Sequence, residues 1–178
     1  MSLPAVGAAI ASQDELVTDR QPEPPWLTDT EQAAWVNLVR LMMLLPSALD
    51  RQLRDGASIP HAYFGILAGL SAQPGRAMRM TDLARNANTT TSRLSHAVSA
   101  LEQQGWIERY PSPTDKRGQI ARLTDAGMTL LQAAAPGHVA EVRRLVFDHL
   151  TADDVDQLRA ITAKLLPALT GDDQPTPA

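Results

Sequence analysis

Residues 81–123, TDLARNANTTTSRLSHAVSALEQQGWIERYPSPTDKRGQIARL, constrain this chain more tightly than any other stretch, because they dictate two helices followed by a basic hairpin. The first helix is short, spanning 81–86, with Thr81 expected as its N-cap and Leu83 and Ala84 facing inward. Asn86, Ala87 and Asn88 supply the turn after it. A second helix starts near Thr90, and Leu94, Ala97, Val98 and Leu101 fall at i, i+3, i+4 and i+7, which defines one buried stripe. Its other face carries Ser92, Ser95, His96, Ser99 and Gln103. Hydroxyl and imidazole groups can exchange hydrogen bonds with phosphates and base edges, and small side chains permit close approach.

A solvated helix face has the same composition, so the following segment decides between the two readings. Gly105 ends the helix, and residues 106–110 are expected to form a strand of alternating burial that pairs with residues 119–123. Between them, PSPTDKRG stops regular structure, while Arg109, Lys116, Arg117 and Arg122 crowd positive charge onto the hairpin. Such a hairpin can follow the DNA backbone or enter the minor groove, where negative potential favours Arg. Asp115 is expected to hold the guanidinium of Arg117 in a fixed orientation through a charge-assisted pair. Residues 76–124 hold eight Lys or Arg against four Asp or Glu, a net +4 that the overall charge of −4 conceals. Confinement of basic charge to one module is the electrostatic footprint of a nucleic-acid binder.

At 178 residues the chain suits one compact domain. The absence of Cys rules out disulfide scaffolds, thiolate zinc sites and cysteine redox sensing. The longest unbroken apolar run, residues 41–45, is too short to span a bilayer, and no basic region precedes an apolar core at the N-terminus. A cytoplasmic protein without a membrane partner is therefore expected.

Residues 1–25 and 170–178 read as disordered tails. Thr28 and Glu31 have capping-box spacing and open a helix to about residue 54. Its stripe is Trp35, Leu38, Met42, Leu45 and Leu49, with a kink expected at Pro46. Ser58 is expected to cap the next helix, with Pro60 in its first turn and Tyr63, Phe64, Ile66, Leu67 and Leu70 as packing residues. Thr124 caps a long helix that Pro136 and Gly137 should bend or interrupt before it resumes through Val139, Val142, Leu145 and Val146. Thr151 starts the last helix, whose apolar side is Leu158, Ile161, Leu165 and Leu169.

The fold class is thus mainly α with a small β-hairpin wing. A winged helix-turn-helix module, residues 58–124, is flanked by dimerisation helices at 26–57 and 125–169. Those flanking helices carry more apolar surface than a module of about sixty residues can cover, which calls for a second copy. A twofold homodimer places its two recognition helices about one DNA turn apart, on a pseudo-palindromic double-stranded site.

These residues resemble the MarR family of bacterial transcriptional regulators over roughly 30–168. The most specific segments are RMTDLA (79–84), SRLSHAVSALEQQGWIER (92–109) and PTDKRGQIARLTDAG (113–127), the last with the Asp-x-Arg wing signature at Asp115 to Arg117. The resemblance implies an obligate dimer, residues 90–104 in the major groove and Arg117 in or beside the minor groove. It also implies repression of nearby genes, relieved when a small aromatic or anionic effector binds between the dimer helices and the winged module. The DNA-contacting set is then Thr81, Thr90, Thr91, Ser92, Arg93, Ser95, His96, Ser99, Arg109, Asp115, Lys116 and Arg117. Ala100 stands where many relatives have Arg, which shifts the load to Arg93, His96 and the wing.

Trp35, Met42, His61 and Ile66 are the ligand-pocket candidates, at the junction of the first two main helices, although core packing accounts for the same residue types. No cofactor or metal is expected. The four His residues lack metal-ligand spacing, and no phosphate loop or nucleophile motif points to an enzyme. The alternative is a winged helix that binds another protein, against which the concentrated positive charge counts.

Overall fold

The structure, a computed structural model, describes residues 25–113, 115 and 118–170. The tails expected at 1–25 and 170–178 therefore lie outside the described residues except at Pro25 and Thr170. Two compact units are separated at Asn37 and Leu38, inside the first helix.

The described part of the first unit is the opening of helix α1, Asp29–Ala57. Thr28 and Glu31 form the expected capping box: the Thr28 amide donates to Glu31 Oε2 at 2.8 Å, and the Glu31 amide to Thr28 Oγ1 at 3.3 Å. Two orphan donors of the first turn are satisfied reciprocally.

The second unit contains the rest of α1 and then α2 (His61–Ser71), β1 (Ala77–Arg79), α3 (Met80–Asn86), α4 (Thr91–Gln103), β2 (Ile107–Pro111), β3 (Gln119–Leu123), α5 (Asp125–Leu145) and α6 (Ala152–Thr170). Its core is one cluster. Leu53 of α1, Leu67 and Leu70 of α2, Leu83 of α3, Leu94, Val98 and Leu101 of α4 and Ile107 of β2 are fully buried together, and Leu131 and Ala134 of α5 close it. The helical period of α4 is what delivers Leu94, Val98 and Leu101 to one side.

Several local expectations are corrected. The expected hairpin is present as β2 and β3, and β1 adds a third strand to it, in the order β1-β3-β2 with both pairs antiparallel. Burial along β2 does not alternate: Ile107 is buried and the next three residues are half-buried, as fits an edge strand. Thr81 is not the N-cap of α3. That helix starts at Met80 directly from β1, and Arg79 occupies the cap position without a side-chain bond, because burial of Met80 draws the helix start one residue earlier. Nor does Ser58 cap α2: it lies in the left-handed region at φ 54°, and Pro60 precedes the first helical residue. At Pro136 the expected interruption is absent, and α5 runs unbroken through Pro136 and Gly137. Helix α1 contains Pro46 without a break, as its expected extent required. Gly137 serves packing instead, since a Cβ there would lie 3.2 Å from the Gln52 side-chain amide.

An 18-residue window of α1 has mean hydropathy 1.2 and is only 6 % buried, so by length and composition this helix is long enough to cross a bilayer. Counting unbroken runs does not register it, because Asn37 and Arg40 break the run while the Leu, Val and Met residues around them keep the average up.

Candidate nucleic-acid interface

Local capping defines both ends of α4. Thr90 stands in extended conformation, and its hydroxyl accepts from the Arg93 amide at 3.3 Å. At the far end Gly105 adopts φ 72°. Its amide donates to Glu102 O at 2.9 Å and the Trp106 amide donates to Leu101 O at 3.0 Å, the paired bonds of a Schellman termination. The chain then turns into β2, which carries the hairpin. The helix so fixed exposes Thr91, Ser92, Arg93 and His96 and leaves Ser95 and Ser99 half-buried, as the periodicity required.

Five of the sequence-selected residues meet in one place. Thr81 from α3, Thr91 and Ser95 from α4, Arg109 from β2 and Asp115 from the wing border a cleft of about 260 Å³, joined by Arg79 and Gln119. Ser92, Arg93, His96 and Ser99 lie outside this cleft, and Thr90 caps the helix beside it. Lys116 and Arg117, the wing residues given the largest role, lie outside the described residues.

The basic charge of the module is more structured than its count suggested. Each of its four carboxylates is paired: Asp82 with Arg85 at 3.0 Å, Glu102 with Arg109 at 2.6 Å, Asp115 with Arg79 at 4.0 Å, and Glu108 with Arg122 directly across the β2–β3 register. Arg76 pairs with Asp125 at the start of α5, at 3.0 Å. Among the described residues of the module, Arg93 is the cation whose side chain has no carboxylate partner. Among the described residues, the unspent positive charge therefore sits at the first turn of α4, one residue from exposed Ser92.

Two contributors escaped sequence reasoning. Arg79 comes from β1, a three-residue strand with no alternating pattern to betray it. Glu102 lies in the last turn of α4 and was not singled out by its position in the sequence. The glycine turn at 105 folds β2 back along the helix and brings residue 109 against it, so the signal was the combination of Gly105 with the strand start. Glu102 has its carboxyl held below the usual range, chiefly by hydrogen bonding to Arg109.

The three ligand candidates of the second unit do not converge. His61 and Ile66 border an open cleft of about 520 Å³ between α2 and α4 that also reaches Arg93 and Asn88. Met42 lies elsewhere on α1 and is 53 % exposed, while Ile66 is a core residue at 4 % exposure. Trp35 belongs to the first unit, where it is half exposed at 51 %. On its other side His61 meets His138 of α5 with ring centroids 5.6 Å apart, and His138 packs on Phe64 at 4.5 Å.

Comparison with known proteins places this arrangement in a family. The MarR family description matches residues 59–118. The chain is 30 % identical over 129 residues to the HTH-type transcriptional regulator PecS of Dickeya dadantii, covering 72 % of this chain and 76 % of PecS. A MarR family transcriptional regulator from Streptomyces coelicolor, solved in complex with DNA, is 46 % identical with a TM-score of 0.79, covering 88 % of this chain and 95 % of that one. The chain belongs to the MarR family. A second relative, the multiple antibiotic resistance protein MarR of Escherichia coli, is 27 % identical over 135 residues, 74 % of this chain and 92 % of its own. MarR-family members are transcriptional regulators and not enzymes, so the cleft between α3, α4 and the wing belongs to a regulator.

Proposed function

We propose that this chain is a dimeric, sequence-specific DNA-binding regulator that represses genes beside its operator and is released by a small aromatic or anionic molecule. The observation that carries the reading is the exposed face of α4: Ser92 and His96 with Arg93, the cation left without a carboxylate among the described residues of the module, at the end of the helix nearest the Thr81, Thr91 and Ser95 cleft. A cation held in reserve at a helix N-terminus, among hydroxyls, suits a phosphate with base edges beyond it. The Streptomyces relative solved with DNA supports the same use of this module.

In this reading α4 enters the major groove, with Thr90, Thr91, Ser92, Ser95, His96 and Ser99 along it and Thr81 beside it, while Arg109, Asp115, Lys116 and Arg117 form the wing contact. The exposed apolar residues of α1 and α6 pack against a second copy, in the cytoplasm, and not in a bilayer. An anionic effector would be met by Arg93 and His61 at the cleft between α2 and α4, with Ile66 behind it. Binding there engages the same Arg93 that faces DNA, which gives the effector a direct route to release.

The test is fluorescence anisotropy of the purified protein on DNA from upstream of its own gene and on a scrambled duplex, across a salt series. Tight, dimer-stoichiometric binding to the upstream duplex with a steep salt slope is expected. Weak binding that is equal on both duplexes at low salt would remove the reading.

A further inference from the structure

The Glu102 carboxylate grips residue 109 at three points. Oε2 accepts from Arg109 Nε at 3.0 Å and from Nη2 at 2.6 Å, and Oε1 accepts from the Arg109 main-chain amide at 3.2 Å. The bonds join the last turn of α4 to the edge strand β2, which otherwise pairs only with β3. Both side chains are largely covered, 37 % and 28 % exposed. The strand register puts Arg109 opposite buried Ala121, on the face that packs toward α4, whereas neighbouring Glu108 and Arg122 share the other face.

A guanidinium has five donors, and this grip uses one on each of two nitrogens. Both donors of Nη1 remain, and Arg109 borders the cleft shared with Thr81, Thr91 and Ser95. A carboxylate in a surface meant for a polyanion is an electrostatic cost, so its presence needs a compensating purpose. We propose that Glu102 is a positioning residue for DNA recognition: it holds Arg109 side-on, fixes the angle between recognition helix and wing, and presents the remaining Arg109 donors at the cleft. The inference rests on the regulator reading above and names the part of that site which sets sequence preference.

Charge and position predict opposite signs, which makes the proposal testable. Neutralising Glu102 raises the net positive charge, so electrostatics alone would strengthen binding to every duplex. Loss of positioning weakens the preferred duplex while sparing the others. The probes are a duplex enriched from a random-sequence pool by the wild-type protein and a scrambled duplex of the same composition, read by anisotropy at fixed salt. For Glu102→Gln the ratio of the two affinities is expected to fall about tenfold, with the scrambled duplex bound equally or slightly more tightly. Arg109→Lys, which keeps the charge but not the fork, is expected to lose the ratio in the same way. Glu108→Gln, the same charge change on the other face of β2, is expected to move both affinities together and keep the ratio. A ratio retained within about twofold in Glu102→Gln overturns the proposal. Should that variant fail to fold by circular dichroism, a retained ratio in Arg109→Lys overturns it equally. A wild type that enriches no duplex overturns the regulator reading and this inference with it. A wild type that enriches one, with the ratio kept in both variants, overturns this inference alone.

Discussion

Gly127 is held to glycine by contact and not by backbone conformation. A Cβ there would lie 2.2 Å from the Trp106 carbonyl oxygen and 2.7 Å from Leu123 Cδ1, so the first turn of α5 rests directly on the entry to β2. Gly127→Ala is expected to destabilise the fold by about 3 kcal/mol, because backbone must move to relieve it. Gly65 in mid-α2 has nothing within 4 Å of the same position, and Gly65→Ala is expected to stabilise by about 1 kcal/mol through helix propensity. Urea denaturation of the two variants checks both, and shifts of the same sign would contradict the contact argument. Thr124 reaches both neighbours of this junction, accepting from the Gly127 amide at 3.1 Å and donating to Gly105 O at 2.7 Å. At the DNA face, Arg93→Ala and Arg117→Ala are expected to weaken all duplexes and flatten the salt slope by about one each, whereas changes at Ser95 or His96 alter preference among sites. Equal loss on every duplex from both kinds of change would refute that division. Sequence alone exposed Thr124 as a cap, and placed helix starts at Thr90 and Thr151, because the hydroxyl and the helix start are adjacent in the chain. Thr81 misled for the same reason, since a strand out of sight of local pattern reset where α3 begins.

Helices announced themselves by period and β1 did not, and the difference is physical. Thirteen residues of α4 repeat the apolar stripe often enough to be read, while the three residues of β1 are defined by partners on β3 some forty positions away, such as Met78 against Ala121. At Pro136 only the interruption was over-read: loss of one donor is local, and α5 continues past it although its buried residues, Gly127, Leu131 and Ala134, all precede it. The contact between α5 and α2 carries its own prediction. His138 sits against Phe64 and His61, and its Nδ1 is buried with no hydrogen-bond partner among the described residues. Burial lowers its pKa from the ordinary 6.5, and the neighbouring His61 lowers it further. The unfolded chain therefore binds this proton more readily than the folded one. Stability from His138 is fully present above pH 6.5 and is lost as pH falls through the lowered folded value. Carboxylates such as Glu102 and Asp50, also lowered, chiefly by hydrogen bonds from Arg109 and Arg54, lose theirs only further into acid. Urea midpoints should thus decline between about pH 7 and pH 5 in the wild type and stay flatter in His138→Gln. Parallel declines in both proteins would assign the effect to other groups.

At the scale of the whole molecule the unresolved quantity is apolar surface, and sequence reasoning reached it from composition before any contact was visible. Leu158, Ile161, Leu165 and Leu169 recur on one side of α6, yet none of its residues is buried in the single chain, and Leu41 to Leu44 of α1 are likewise exposed. Two environments could receive such helices: a bilayer, which the length and hydropathy of α1 alone would allow, or a second copy. The acidic first turn of α6 and its interleaved Arg159 and Lys164 favour a protein partner, because a membrane-crossing helix would have to desolvate those charges. Ile161, 53 % exposed in the single chain, discriminates between the two. Ile161→Glu places a charge where a partner would bury it and where isolated solvent exposure would tolerate it. Light scattering on the variant is expected to show a monomer, with helical circular dichroism retained, because the core from Leu53 to Ile107 does not use this residue. Affinity for the enriched duplex should then fall by about a hundredfold or more, since one half-site loses the effective concentration supplied by its twin. A variant that stays dimeric, or a monomer that binds the duplex as tightly as the wild type, would detach DNA recognition from these helices and leave their apolar faces to some other partner.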